Sequence, residues 1–192
     1  MDRSVENIHL VMIKESLDFN DKQLPEGYEF VMYEPGMMDK WVDIQLSSKH
    51  ILEKSEGELY FKEVFLQNED FLKEVMVFIK DEKGELVGTG AIWEGKYFLE
   101  DRNKKYRLHW IAIDSKHGGK GLAKALVSKL LSIFKDKKMG EGLYLSTQTC
   151  SYVAIKIYLD FGFKPYDLEN NQKGWNIVFD KLKIDCLKKI SI

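Results

Sequence analysis

Residues 107 to 126 constrain the fold more than any other stretch. Arg107-Leu108-His109-Trp110-Ile111-Ala112-Ile113-Asp114 has the apolar run of a strand, Ser115-Lys116-His117-Gly118-Gly119-Lys120-Gly121 breaks it, and Leu122-Ala123-Lys124-Ala125-Leu126 opens a helix. Three glycines in four residues let the backbone turn tightly and a ligand approach the main chain closely. The helix start presents unpaired N–H groups at its positive end. Strand, glycine turn and helix together form a phosphate cradle. It is not a P-loop, because Gly121 is followed by Leu122-Ala123 rather than Lys and Ser or Thr. A dinucleotide fingerprint is absent too, since Gly-x-Gly-x-x-Gly does not occur here.

At 192 residues one domain can bury a sizeable core, roughly 70% of its extended-chain surface. The formal net charge of −2 supplies no field to draw nucleic acid or an anionic membrane, and neither is expected as a partner. Two cysteines, Cys150 and Cys186, are too few for a disulfide framework. The opening residues lack a signal-peptide core and no apolar run reaches the length of a membrane span, so the expected setting is the cytoplasm. His9, His50 and His117 have no partners at metal-ligand spacing, and no metal is expected.

Periodicity places the elements. Strands are expected at Ile8 to Ile13 and Tyr28 to Tyr33, then two short helices, over Met37 to Leu46 and Leu59 to Leu66, parted by a polar break at Ser55-Glu56-Gly57. Glu74 to Ile79 and Leu86 to Trp93 flank Asp81-Glu82-Lys83-Gly84 as an antiparallel hairpin. Gly88 and Gly90 share a face of it, which predicts a bulge or a close approach by neighbours. A charged loop, Glu100 to Lys105, precedes the strand that feeds the glycine turn. Beyond the turn, Leu122, Leu126, Leu130, Ile133 and Phe134 line one side of a helix, with lysines on much of the rest. Leu143 to Thr147 is strand-like, and a helix capped by Thr149 or Ser151 carries Ala154, Ile157, Tyr158 and Phe161 on one stripe until Gly162 ends it. Trp175 to Phe179 alternates like a final strand. The expected class is α/β (α+β), a mixed and mostly antiparallel central sheet flanked by helices.

Two signatures resemble the GCN5-related N-acetyltransferase (GNAT) superfamily. Gly118-Gly119-Lys120-Gly121-Leu122-Ala123 is similar to its acyl-CoA loop at Gly121 and Ala123, although Gly118 stands where Gln or Arg is usual. Ala154-Ile155-Lys156-Ile157-Tyr158 with Gly162-Phe163 is similar to its Ala-x-x-x-Tyr helix ending in Gly-Phe, with Ser151 where Asn is frequent. The resemblance implies one GNAT-like domain over residues 1–192, with a variable acceptor-side region at 1–70 and an acyl-CoA core at 71–180. It implies acetyl-CoA as donor, an amine of a small molecule or peptide as acceptor, direct transfer in a ternary complex, and it is compatible with a homodimer.

Main-chain amides from about Gly119 to Ala123 are the expected diphosphate hold, with Gly118, Lys120, Leu122 and Ser151 beside the cofactor and the Ile111-Ala112-Ile113 strand along the pantetheine arm. The resemblance makes Tyr158 the general acid to the departing thiolate; the alternative is a core tyrosine. The attacking amine needs a base, for which His109 has a suitable ring and Glu100 or a water chain would also serve. Tyr33, Trp41, Trp93 and Trp175 are candidate aromatic walls of the acceptor pocket, or core anchors. Two further alternatives are an acyl-enzyme on Cys150 and a noncatalytic acyl-CoA-binding or regulatory domain.

Overall fold

The computed structural model describes residues 2–96, 98 and 106–184. Seven strands and six α-helices run through the described residues: β1 (His9–Lys14), β2 (Tyr28–Met32), α1 (Met38–Ser47), α2 (Lys54–Tyr60), α3 (Glu69–Val75), β3 (Met76–Asp81), β4 (Leu86–Glu94), β5 (Tyr106–Ile113), α4 (Leu122–Asp136), β6 (Leu143–Gln148), α5 (Tyr152–Asp160), β7 (Lys164–Pro165) and α6 (Gln172–Leu182). This is an α/β architecture of mostly antiparallel strands with flanking helices. The chain divides into two compact units, one of residues 21–93 and 108–137, the other of residues 1–20, 94–107 and 138–192.

The first unit carries the strand run β2-β3-β4-β5. β2 and β3 pair antiparallel from Tyr28 opposite Asp81 to Met32 opposite Val77. The β3–β4 hairpin pairs Met76 with Ala91 and Ile79 with Gly88, with a bulge between Ile79 and Lys80. Gly84 takes φ 83° in its turn, where the Asp81 carboxylate accepts from the N–H of Lys83 at 3.0 Å and of Glu85 at 2.9 Å. The close approach expected at the β4 glycines is present. A Cβ on Gly90 would lie 3.0 Å from Leu130 and 3.1 Å from Ile111, and one on Gly88 would lie 2.8 Å from Ile113. α4 lays its apolar stripe there, with Leu126, Leu130 and Phe134 fully buried.

Two helical expectations change. Ser55-Glu56-Gly57 is not a break but the body of α2, and the break falls at residues 48–53. Gly57 is buried there, because a Cβ would run into Ile51 and Val42; its smallness permits helix contact rather than a turn. After Tyr60 the helix widens into a π turn, Phe61–Phe65, then a short 3-10 turn, Leu66–Asn68, before α3. α3 also takes Glu74 and Val75, so β3 begins two residues later than the pattern suggests.

The second unit carries the run β6-β1-β7. β1 pairs antiparallel with β6, from His9 opposite Gln148 to Lys14 opposite Leu143, and with β7 through Met12 opposite Pro165. Trp175 to Phe179 is part of α6, not a strand. Trp175, Val178 and Phe179 are buried at i, i+3 and i+4 while Asn176 is exposed, a helical stripe that a five-residue alternation disguises. α6 closes on β1 at Gly174, where a Cβ would meet Leu10 at 2.9 Å and Ile8 at 3.1 Å. Among the described residues no helix is long and apolar enough to cross a membrane.

Candidate active site

The glycine turn lies in the first unit and is built as the sequence demands. β5 ends at Ile113, and the Asp114 N–H donates to Val87 O at 2.8 Å. The Asp114 carboxylate accepts from the Lys116 N–H at 2.8 Å and opens a 3-10 turn over Ser115–His117. Gly118 has an ordinary φ of −62°. Gly119 and Gly121 have φ of 77° and 83°, a region that side chains with a Cβ rarely adopt. A Cβ at either would meet nothing within 4 Å, so backbone conformation and not packing requires glycine there. Gly121 is also the residue before α4, and no side chain caps the helix's first turn. Its leading N–H groups lie at the positive end of the helix dipole, the kind of position that suits an anion. Leu122 is buried beneath, and Ala123 is half-buried.

Lys120 reaches over Tyr28, its Nζ 2.9 Å from the Tyr28 hydroxyl and 5.6 Å from the ring centre. The same hydroxyl lies 3.0 Å from His117 Nδ1. Lys120 is thus exposed and bonded to Tyr28 beside the turn. Ile111 and Ile113 face Gly90 and Gly88, and Ala112 is buried.

His109 and Trp110 depart from strand alternation. Trp110 has φ 51°, which is strained for a bulky residue. The kink lets two consecutive side chains reach the same group of rings: His109 and Trp110 lie 6.0 and 5.0 Å from the Tyr60 ring. Tyr60 Oη is 2.6 Å from His109 Nε2. The kink is pinned by fully buried Gln45, whose Nε2 donates to Trp110 O at 2.9 Å and whose Oε1 lies 2.8 Å from His50 Nδ1. Burial pushes the His50 ring down to about pH 4, so it is neutral at pH 7.

Of the expected aromatic walls in this unit, Trp41 is wholly buried at the centre of the cluster, stacked on Tyr60 at 11° and edge-on to Phe61, Phe65 and Trp110. Trp93 packs edge-on against Phe65, and Tyr33 donates to Glu69 Oε1 at 3.0 Å. The indole N–H groups of Trp41 and Trp110 are buried without an acceptor among the described residues. Sequence reasoning missed Tyr60 and Gln45. Nothing in their spacing announces that a π turn and a kinked strand will aim them at His109 and Trp110.

In the second unit, Tyr158 sits on α5, 9% exposed, its ring edge-on to Phe163 at 5.9 Å. Its hydroxyl makes no hydrogen bond among the described residues, and burial pushes its pKa up to about 12, so it stays protonated at neutral pH. Ser151 precedes α5 without making a cap bond; its hydroxyl lies 3.5 Å from Gln148 Oε1. Thr149 instead accepts from the Ile8 N–H at 2.9 Å and donates to Glu6 O. The Cys150 thiol is buried and donates to Asn7 Oδ1 at 3.7 Å. Trp175 is fully buried and stacked on Phe179. Glu100 and the charged loop lie outside the described residues. Among those described, no group of three or more His, Cys, Asp or Glu could hold a metal.

In the first unit a strand enters an uncapped helix through positive-φ glycines, and in the second a phenol is kept protonated by burial. The Acetyltransferase (GNAT) family model matches residues 38–163, and the chain belongs to that family. Human N-acetyltransferase 8B is 35% identical over 88 residues, which cover 45% of this chain and 37% of that protein. Mouse N-acetyltransferase 8B is 31% identical over 101 residues, 53% of this chain and 43% of that protein. The chain thus spans less than half the length of these curated relatives. Among solved structures, a GCN5-related N-acetyltransferase from Sphaerobacter thermophilus superposes with TM-score 0.65 at 17% identity, over 83% of this chain and 49% of that one. A GNAT-family acetyltransferase from Colwellia psychrerythraea gives 0.58 at 14% identity, over 83% and 52%. At these identities the likeness is one of fold.

Proposed function

We propose that the chain transfers an acetyl group from acetyl-CoA to a primary amine of a small molecule or peptide, by direct attack in a ternary complex. The observation that carries this reading is the open, uncapped start of α4, entered through Gly119 and Gly121 at positive φ. Such a helix end suits a diphosphate, because N–H donors and dipole act together and need no side-chain charge. Gly118 therefore can stand where Gln or Arg is frequent in the family. Ile111 to Ile113 is the strand assigned to the pantetheine arm, and Lys120, beside the turn, is assigned to the anion.

As the amine attacks, electrons of the breaking C–S bond leave on the thiolate. Tyr158 is the donor assigned to that sulfur; a phenol with its pKa near 12 is protonated throughout the neutral range and its hydroxyl has no competing partner among the described residues. His109 is assigned to the other proton, the one the amine must lose. Incubation with acetyl-CoA and a panel of amines, read as release of free CoA thiol and the mass gain of one acetyl group on the acceptor, tests the reading. Amine-dependent release is expected. CoA binding without release from any amine would mark a noncatalytic acyl-CoA-binding domain, and an acetylated Cys150 would replace direct transfer by an acyl-enzyme.

A further inference from the structure

Tyr60 occupies an unusual place: the last residue of α2, directly before the π turn Phe61–Phe65, half-buried and stacked on Trp41. Isolated π turns are rare and concentrate at functional sites, where the extra residue re-aims side chains. Opposite stands the other irregularity of this unit, Trp110 at φ 51° inside β5, held by Gln45. The two distortions converge on one contact, Tyr60 Oη to His109 Nε2 at 2.6 Å. A short bond between a phenol and an imidazole is a ready path for a proton. It also means that His109 does not offer Nε2 to an incoming amine directly, because the phenol already occupies it.

We propose that Tyr60 is a further catalytic residue, relaying the proton of the attacking amine to His109. This rests on the acetyl-transfer reading. As the amine nitrogen bonds to the thioester carbon, its surplus proton passes to Tyr60 Oη while the Tyr60 hydroxyl proton passes to His109 Nε2. Tyr60 emerges neutral, His109 emerges as imidazolium, and the imidazolium returns its proton to water before the next turnover. The C–S electron pair leaves with CoA, and the thiolate takes its proton from Tyr158, which regains one from water before the next turnover. The amine acceptor accordingly docks against the Tyr60 edge of the aromatic cluster, on the α1–α2 side of β5.

The test uses the whole chain with acetyl-CoA and an amine that it acetylates. Tyr60→Phe keeps the ring and its stacking, so the fold is expected to persist by circular dichroism and acetyl-CoA binding to be unchanged, while kcat falls about 100-fold. His109→Gln should fall equally, and the double variant no further, as expected of one relay. On the unaltered protein, a proton inventory in mixed H2O and D2O should curve, since two protons move together. Fluorotyrosine at position 60, which makes the phenol more acidic without changing its shape, should alter kcat but not the KM for acetyl-CoA. A linear inventory, or full kcat in Tyr60→Phe, would overturn the relay while leaving acetyl transfer standing. No thiol release from the unaltered protein with any amine would instead remove the reading beneath it.

Discussion

Single side chains in both units are tuned by what surrounds them. Tyr158 is the sharper case: its phenol has no hydrogen-bond partner among the described residues and is driven to a high pKa by burial alone. Tyr158→Phe removes one hydroxyl from a ring that still packs on Phe163. The expected result is unchanged thermal stability within about 1 kcal/mol and a kcat lowered about 100-fold, read by single-turnover acetyl transfer; an unchanged rate would reject the role. His50 shows the same desolvation acting on stability. Its ring ordinarily titrates near 6.5 and in the fold near 4, so between those values the unfolded chain binds more protons. Stability is therefore complete above pH 6.5 and is lost as pH falls toward 4, by on the order of 3 kcal/mol once both forms are protonated. Urea midpoints at pH 7, 5.5 and 4.5 should show this acid limb, and His50→Gln should flatten it.

At the scale of elements, glycine decides where helices and strands come close. β4 passes under α4 because Gly90 leaves room for Leu130 and Ile111. Gly90→Val would push three neighbours apart, and its expected cost is about 1–3 kcal/mol in chemical denaturation; a variant as stable as the parent would show that α4 can slide away freely. Those positions were legible in the sequence, as were β1, β2, the hairpin, α4 and the glycine turn, since each rests on a long periodic run or a turn residue with one backbone use. Three features were not. Gly57 reads as a break yet sits in a helix, because a local rule cannot tell a turn glycine from one that admits a neighbour. Trp175 to Phe179 satisfies a period of two and of three-and-a-half over five residues, and the joint burial of Trp175, Val178 and Phe179 is what marks the helix. The π turn after Tyr60 and the positive φ at Trp110 come from tertiary contacts with Gln45 and the aromatic cluster, which no neighbouring residue encodes. Tyr158, through the family resemblance, and His109 are candidates from the sequence alone, whereas the position of Tyr60 depends on those contacts.

For the whole molecule, each of the two units has its own core, around Trp41, Phe61, Phe65 and Phe134 in one and Tyr144, Phe163, Trp175 and Phe179 in the other. Function at this level turns on whether main-chain donors, and not a charged side chain, hold the donor's diphosphate. Gly121→Val places a branched side chain at φ 83°, where a strain of roughly 1–2 kcal/mol disfavours the turn that presents those donors. The decisive measurement is calorimetric titration of CoA, and of pantetheine, which lacks the diphosphate, into the unaltered chain and into Gly121→Val. CoA should bind the unaltered chain far more tightly than pantetheine does, and most of that difference should vanish in Gly121→Val while its circular dichroism stays the same. Equal CoA affinity in the two proteins would contradict the diphosphate site at this turn.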